Sequence, residues 1–266
     1  MRRLPLACAL MLAAPAAAGE RGAYEPLPEG LVRSAQRLAP VFGTAAYRLT
    51  VGRGLFRGNP AAIGALMRGL RPLDLLFVTN EGKWAHRLLP GHFSHVAVWL
   101  GTRADVEALG LGAHPALAPV MRAGPGRQWV LEAVPPRVRI APVGDALPST
   151  LATAVRVQAG RAVRRKALSA MAAQIGRPFD FRYDIATPQQ IFCTELLLAG
   201  LPRLGVFQRR IYATPTILPD DLAQAALAGH GGLSLLWSVR ALPGGRHEKV
   251  SAQDIRAAIR DEGRKR

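Results

Sequence analysis

The feature that most limits what this 266-residue chain can become is a series of short apolar runs, each broken by glycine, proline or charge. Segments 72–78, His95–Gly101, 128–134, 137–143, Leu151–Val157 and 233–239 are too short for buried helices and are dense in Leu, Val, Ile, Phe and Trp, which suits strands. Helical spacing occurs elsewhere. Segments 31–39 and 60–70 place apolar residues at helical intervals with arginines between them, and 161–175 does the same with Val163, Ala167, Ala170, Met171 and Ile175. Segment 80–89 reads as a helix opened by Asn80 and broken by Pro90 and Gly91. Between the second and third strands, 102–127 is rich in Gly, Pro and Ala and is long enough to form a rim or lid. The pattern is that of an α+β chain with no internal repeat.

The N-terminus has its own signature. Arg2 and Arg3, an apolar run from Leu4 to Ala14 and small residues ending in Ala18 match a secretory signal, with export to the periplasm or exterior as the expectation. That run is too short to span a bilayer, which needs ~20 apolar residues. Residues 19–70 then form a helical lead-in, 71–242 the main domain and 243–266 a basic helix or tail facing solvent. Composition excludes wholesale disorder, with 49% hydrophobic and 20% charged residues. The outlier is a net charge of +17, which suits an anionic polymer or membrane surface. The excess is spread along the chain and is mostly arginine, so compositional bias explains it as well. Arg161, Arg164, Arg165 and Lys166 are its densest cluster. Aromatics are only 6% and do not interleave with the basic residues, so no nucleic acid is expected. Oligomeric state is not legible.

Cys193 is the one cysteine outside the N-terminal segment. It is either a small buried hydrophobe or a nucleophile, and a nucleophile needs a nearby base and a positive environment such as a helix N-terminus. The helix through Leu196, Leu197 and Ala199 has two readable starts: a capping box at Thr187, Pro188 and Gln190, or a start near Phe192 after a turn. His95 opens a strand in which Ala97 and Trp99 share its side while Val96, Val98 and Leu100 take the other, so its ring emerges at the strand's end. Glu132 is the odd residue in an apolar strand and requires a partner. Pairing of the two strands would give it His95; otherwise Arg137 or Arg139 serves. The histidines show no metal-ligand spacing, a lone cysteine cannot complete a structural zinc site, and no phosphate-cradling glycine loop is present.

Read together, HFSHVAVWLG around His95, WVLEAVPPRVRIAPV around Glu132, and IGRPFDFRYD followed by FCTELLL resemble the permuted NlpC-type papain-like hydrolases, the YiiX and YaeF group, over residues 70–222, with an echo in ILPDDLA. In that family the histidine strand precedes the cysteine helix. The resemblance implies a circularly permuted papain-like fold, an antiparallel sheet packed against helices carrying the cysteine. It implies Cys193 as nucleophile, His95 as base and Glu132 as its orienting carboxylate, with no cofactor. The expected substrate is a small molecule or peptide: a cell-wall peptide, or an acyl amide or ester. Phe179 stands where the family often has tyrosine, which bears on substrate preference. A silent binding protein on the same scaffold, or an acyltransferase using the same residues, is the alternative.

Overall fold

The computed structural model describes residues 54–79, 91–204, 208–211 and 214–264. The expected secretory signal and the helices over 31–39 and 80–89 lie outside them.

Helix α1 (Pro60–Met67) starts where sequence chemistry places it. Asn59 accepts the Ala62 N–H at 2.9 Å, and Pro60 stands at the first helical position, where no N–H is needed. Strands β1 (Leu75–Val78) and β2 (His95–Gly101) follow, then α2 (Arg103–Ala108), capped reciprocally by Thr102 and Asp105. The short α3 (Ala118–Met121) leads to β3 (Trp129–Val134) and β4 (Arg137–Pro142), then α4 (Val143–Ala146), β5 (Leu151–Val157) and α5 (Arg161–Ala172). Next come α6 (Cys193–Gly200), the small hairpin β6 (Arg209–Ile211) and β7 (Thr214–Thr216), and α7 (Pro219–Ala228). The chain closes with β8 (Leu233–Ala241), β9 (His247–Val250) and α8 (Ala252–Arg264).

Seven strands form one sheet in the order β4-β3-β2-β1-β5-β8-β9, antiparallel at every pairing. The fold class is therefore α+β. Both faces of the sheet's centre are covered, which is why β1, β2, β3 and β5 are buried along nearly their whole length and are largely apolar rather than alternating with polar residues. Leu75, Phe77, Val96, Val98 and Leu131 pack with Ala167, Met171, Cys193 and Leu197 in one core. Leu76, Val78, Ala97, Trp99 and Val130 pack with Phe56, Ala62 and Leu66 in the other. Each fully buried Leu or Phe among them contributes about 1.5–3 kcal/mol. The predicted pairing of the His95 and Glu132 strands is observed, β2 lying beside β3.

Two expectations change. The 102–127 connection is a packed layer and not a loose rim, since Val106, Leu109, Leu111, Leu117 and Val120 all enter the core. The C-terminal helix forms, yet it does not simply face solvent: Ile255 and Ile259, one turn apart, are 1% and 5% exposed. Ahead of it, 247–250 adds an edge strand to β8.

Candidate active site

Cys193 is the first residue of α6, behind an extended Phe192 at φ −113° and ψ 177°. The later of the two starts read from the sequence is the one adopted. Residues 187–190 are held out of the helix because the Arg177 guanidinium donates to the carbonyls of Pro188 (2.7 Å) and Gln190 (2.9 Å). The first helical hydrogen bond runs from Leu196 N–H to the Phe192 carbonyl at 3.0 Å. The N–H groups of Cys193, Thr194 and Glu195 thus precede any helical acceptor and concentrate positive potential beside the sulfur. Glu195 stands in the first turn of this helix. Burial pushes Glu195 up to about 7, with Asp180 and Asp184 adding to the rise and Arg177 and the Phe192 backbone opposing it.

His95 begins β2 and is mostly enclosed, with a side-chain exposure of 12% against 1% for Glu132. Its Nε2 lies 3.0 Å from Glu132 Oε2. A carboxylate only accepts, so Nε2 carries the proton and Nδ1 is left for another partner. Glu132 does not choose between the partners weighed for it. Its Oε2 takes His95 while its Oε1 takes the fork of Arg139, with Nε at 2.9 Å and an Nη at 2.8 Å. Burial would raise the Glu132 pKa; His95 and Arg139 outweigh it and hold the group below its usual range.

Cys193 interacts with the same imidazole. Burial drives the His95 pKa down, but hydrogen bonds from the ring to Cys193 and Glu132, with the charges of both, outweigh it and raise the ring from 6.5 to about 9. At neutral pH the ring is therefore an imidazolium between sulfur and carboxylate. Cys193 is 5% exposed and is the free cysteine of the described chain. All three residues read from the sequence are brought to one place.

Two neighbours were not read from the sequence. The Thr194 hydroxyl, beside the nucleophile, is buried and donates to the Ile217 carbonyl at 2.6 Å. Asp220, in the first turn of α7, is 5% exposed and accepts the N–H groups of His92 and Phe93, both at 2.7 Å. Burial lifts its pKa to about 6, with Asp221 raising it further and the two N–H groups and Arg209 opposing. The ILPDDLA segment was the available signal, but adjacent acids on a helix do not declare which one faces the site.

A family model described as permuted papain-like amidase enzyme, YaeF/YiiX, C92 family, matches residues 70–238. No curated protein matches the chain. Among solved structures, one titled as the crystal structure of metalloprotein yiiX from Escherichia coli O157:H7 is 13% identical, with a TM-score of 0.43, covering 62% of this chain and 96% of that one. The metal in that title belongs to that protein. Among the described residues here, no group of three or more His, Cys, Asp or Glu side chains could hold a metal ion.

Proposed function

The chain belongs to the permuted papain-like amidase family, a family of cysteine amidases and peptidases, and on that premise we propose that Cys193 is its nucleophile, His95 its base and acid, and Glu132 the carboxylate that orients the imidazolium. The observation that carries these roles is the single imidazole bonded on one side to Glu132 and raised in pKa by Cys193 on the other, at a helix start. The thiolate attacks an amide or ester carbonyl, and the negative charge moves to its oxygen. The N–H of Cys193 lies ahead of the first helical bond and is free to stabilise that oxyanion. The Nδ1–H of His95 then protonates the leaving nitrogen or oxygen as the carbon–heteroatom bond breaks, leaving a thioester. The neutral imidazole next takes a proton from water, hydroxide attacks the thioester, and Cys193 leaves as thiolate with His95 again cationic.

We place the enzyme outside the cytoplasm, on the signal pattern of residues 1–18. Its substrate is a cell-wall peptide or a lipid-linked acyl amide or ester. The test is a product assay with a wall peptide and a lipid amide side by side, with amine and alcohol acceptors competing against water. Release of free acid that disappears in Cys193→Ala supports hydrolysis. Acyl transfer to the acceptors replaces it with the transferase reading, and turnover that survives Cys193→Ala overturns both.

One observation favours an anionic surface as an additional partner. A cavity of about 760 Å³ beside α5 is lined by His114, Arg161, Arg165, Lys166 and Ser169. The Arg161 guanidinium is pinned to the Ala108 carbonyl at 3.1 and 2.5 Å, and α5 has no acidic residue in its first turn. Cations at a helix N-terminus oppose the macrodipole, a cost that a bound anion would offset. Co-sedimentation with anionic but not zwitterionic vesicles, weakened in Arg161→Gln/Arg165→Gln, is the expected result; equal binding to both vesicle types removes this reading.

A further inference from the structure

We propose that Asp220 is a positioning residue for the reaction: with the Thr194 hydroxyl it forms a brace, running through residues 217–220, that fixes the spacing between Cys193 and His95. The inference rests on the reading of those two residues as nucleophile and base.

The brace has two anchors. At one end, Thr194 directly follows Cys193, and its buried hydroxyl holds the Ile217 carbonyl at 2.6 Å. At the other, three residues on from Ile217, Asp220 holds consecutive N–H groups of His92 and Phe93, one oxygen to each, at 2.7 Å. Phe93 is two residues ahead of His95. A short piece of backbone therefore ties the residue after the sulfur to the segment that delivers the imidazole, without touching either reacting atom.

The segment before His95 needs such a restraint. Strand pairing begins at His95, which opposes Val78, and ahead of it the Ser94 N–H bonds the Val78 carbonyl at 3.1 Å. Asp220 grips the two residues before that. The fit is close: Gly91 has φ +139°, and a Cβ there would stand 3.0 Å from Asp220 Oδ2. Two adjacent N–H groups need two acceptor oxygens side by side. A carboxylate has them and a carboxamide has one. Burying a carboxylate is costly, so asparagine would be the better choice if the loop needed only a partner of the right size. The neighbouring Asp221 has a separate task, accepting the Leu218 N–H at 2.9 Å and pairing with Arg209.

The test uses the full chain with Asp220→Asn and Thr194→Val, which cut the brace at opposite ends. Thr153→Val is the control for lost stability; it removes the buried Thr153–Ser238 hydrogen bond of 2.8 Å between β5 and β8. Three quantities are read: Tm, kcat and KM on an amide, and the pH profile of Cys193 alkylation by iodoacetamide. We expect both brace variants to lower kcat by about 10–100-fold, the loss that accompanies a misplacement of about 1 Å. KM should stay within about twofold, since ground-state binding is untouched. The alkylation profile should move in both, because it reports how closely imidazole and sulfur are paired. Thr153→Val should lower Tm alone. Brace variants that behave like Thr153→Val overturn the inference. Should Asp220→Asn fail to fold, Thr194→Val decides alone. Should the wild type cleave no amide, the function reading fails by itself, and an alkylation profile unchanged in Thr194→Val still overturns the brace.

Discussion

Replacing Glu132 by Gln tests how the site holds its charge. The substitution keeps the shape of the side chain and one acceptor oxygen, and because His95 and Arg139 lie on different oxygens of Glu132, the remaining oxygen can face only one of them. Arg139 is 41% exposed and can turn to water, so His95 keeps a neutral hydrogen bond and loses the carboxylate's charge. The rise of the imidazole from 6.5 to about 9 amounts to about 3 kcal/mol at about 1.4 kcal/mol per pH unit, shared between Cys193 and Glu132 and net of burial. Loss of the Glu132 charge should remove roughly a third to a half of this, moving the imidazolium's titration down by about one pH unit. The assay is kcat/KM for an amide from pH 6 to 10. The wild type should lose activity through a single ionisation near 9, and the variant through one near 8. At pH 9 the variant then holds about one-fifth as much imidazolium as the wild type. A basic limb that stays near 9 in Glu132→Gln would refute the claim that this carboxylate sustains the cation.

The same shifts predict stability. His95 has a folded pKa above its unfolded value, so its contribution is complete below 6.5 and is lost as pH rises through about 9. The Tm advantage of wild type over His95→Gln should therefore shrink between pH 7 and 10, and a constant difference would contradict the pairing. Glu132, with a lowered pKa, contributes above its usual 4.5 and loses that contribution as pH falls through the lowered value, so Glu132→Gln should cost most stability near neutrality and less in acid. Gly200→Ala tests the packing that seats the cysteine helix: a Cβ there would lie 2.5 Å from the Ala167 carbonyl oxygen and 2.7 Å from Met171 Cε. Denaturant unfolding should show a loss of about 1–3 kcal/mol, and a neutral result would mean that α5 and α6 separate freely.

Much of this was legible in the sequence because it rests on periodicity. The strands around Phe77, Val98 and Leu131 are apolar on both faces, and α5 carries its stripe through Ala167 and Met171. His95 and Glu132 stood out as polar residues interrupting such runs. What stayed hidden depends on contacts distant in sequence. Thr187, Pro188 and Gln190 have the composition of a helix start; Arg177, by taking the carbonyls of Pro188 and Gln190, keeps them out of the helix and moves the start to Cys193. Local propensity does not contain that choice. Glu132 satisfies His95 and Arg139 together, an arrangement that follows from β4 lying on the other side of β3. The edge strand 247–250 is polar and largely exposed, so it carries no hydrophobic signal, as suits a strand that guards a sheet edge. The apolar stripe of Ile255 and Ile259 was present in the sequence, masked by the charges around it.

The most direct measurement is the mass of the intact protein after brief exposure to an activated acyl ester, followed by mapping of the modified residue. One acyl group on Cys193 is the predicted result, absent in Cys193→Ser and formed about 10²–10⁴ times more slowly in His95→Gln, the span typical of a positioned proton-transfer group. Acylation elsewhere in the chain, or on Cys193 at a rate indifferent to His95, would contradict it.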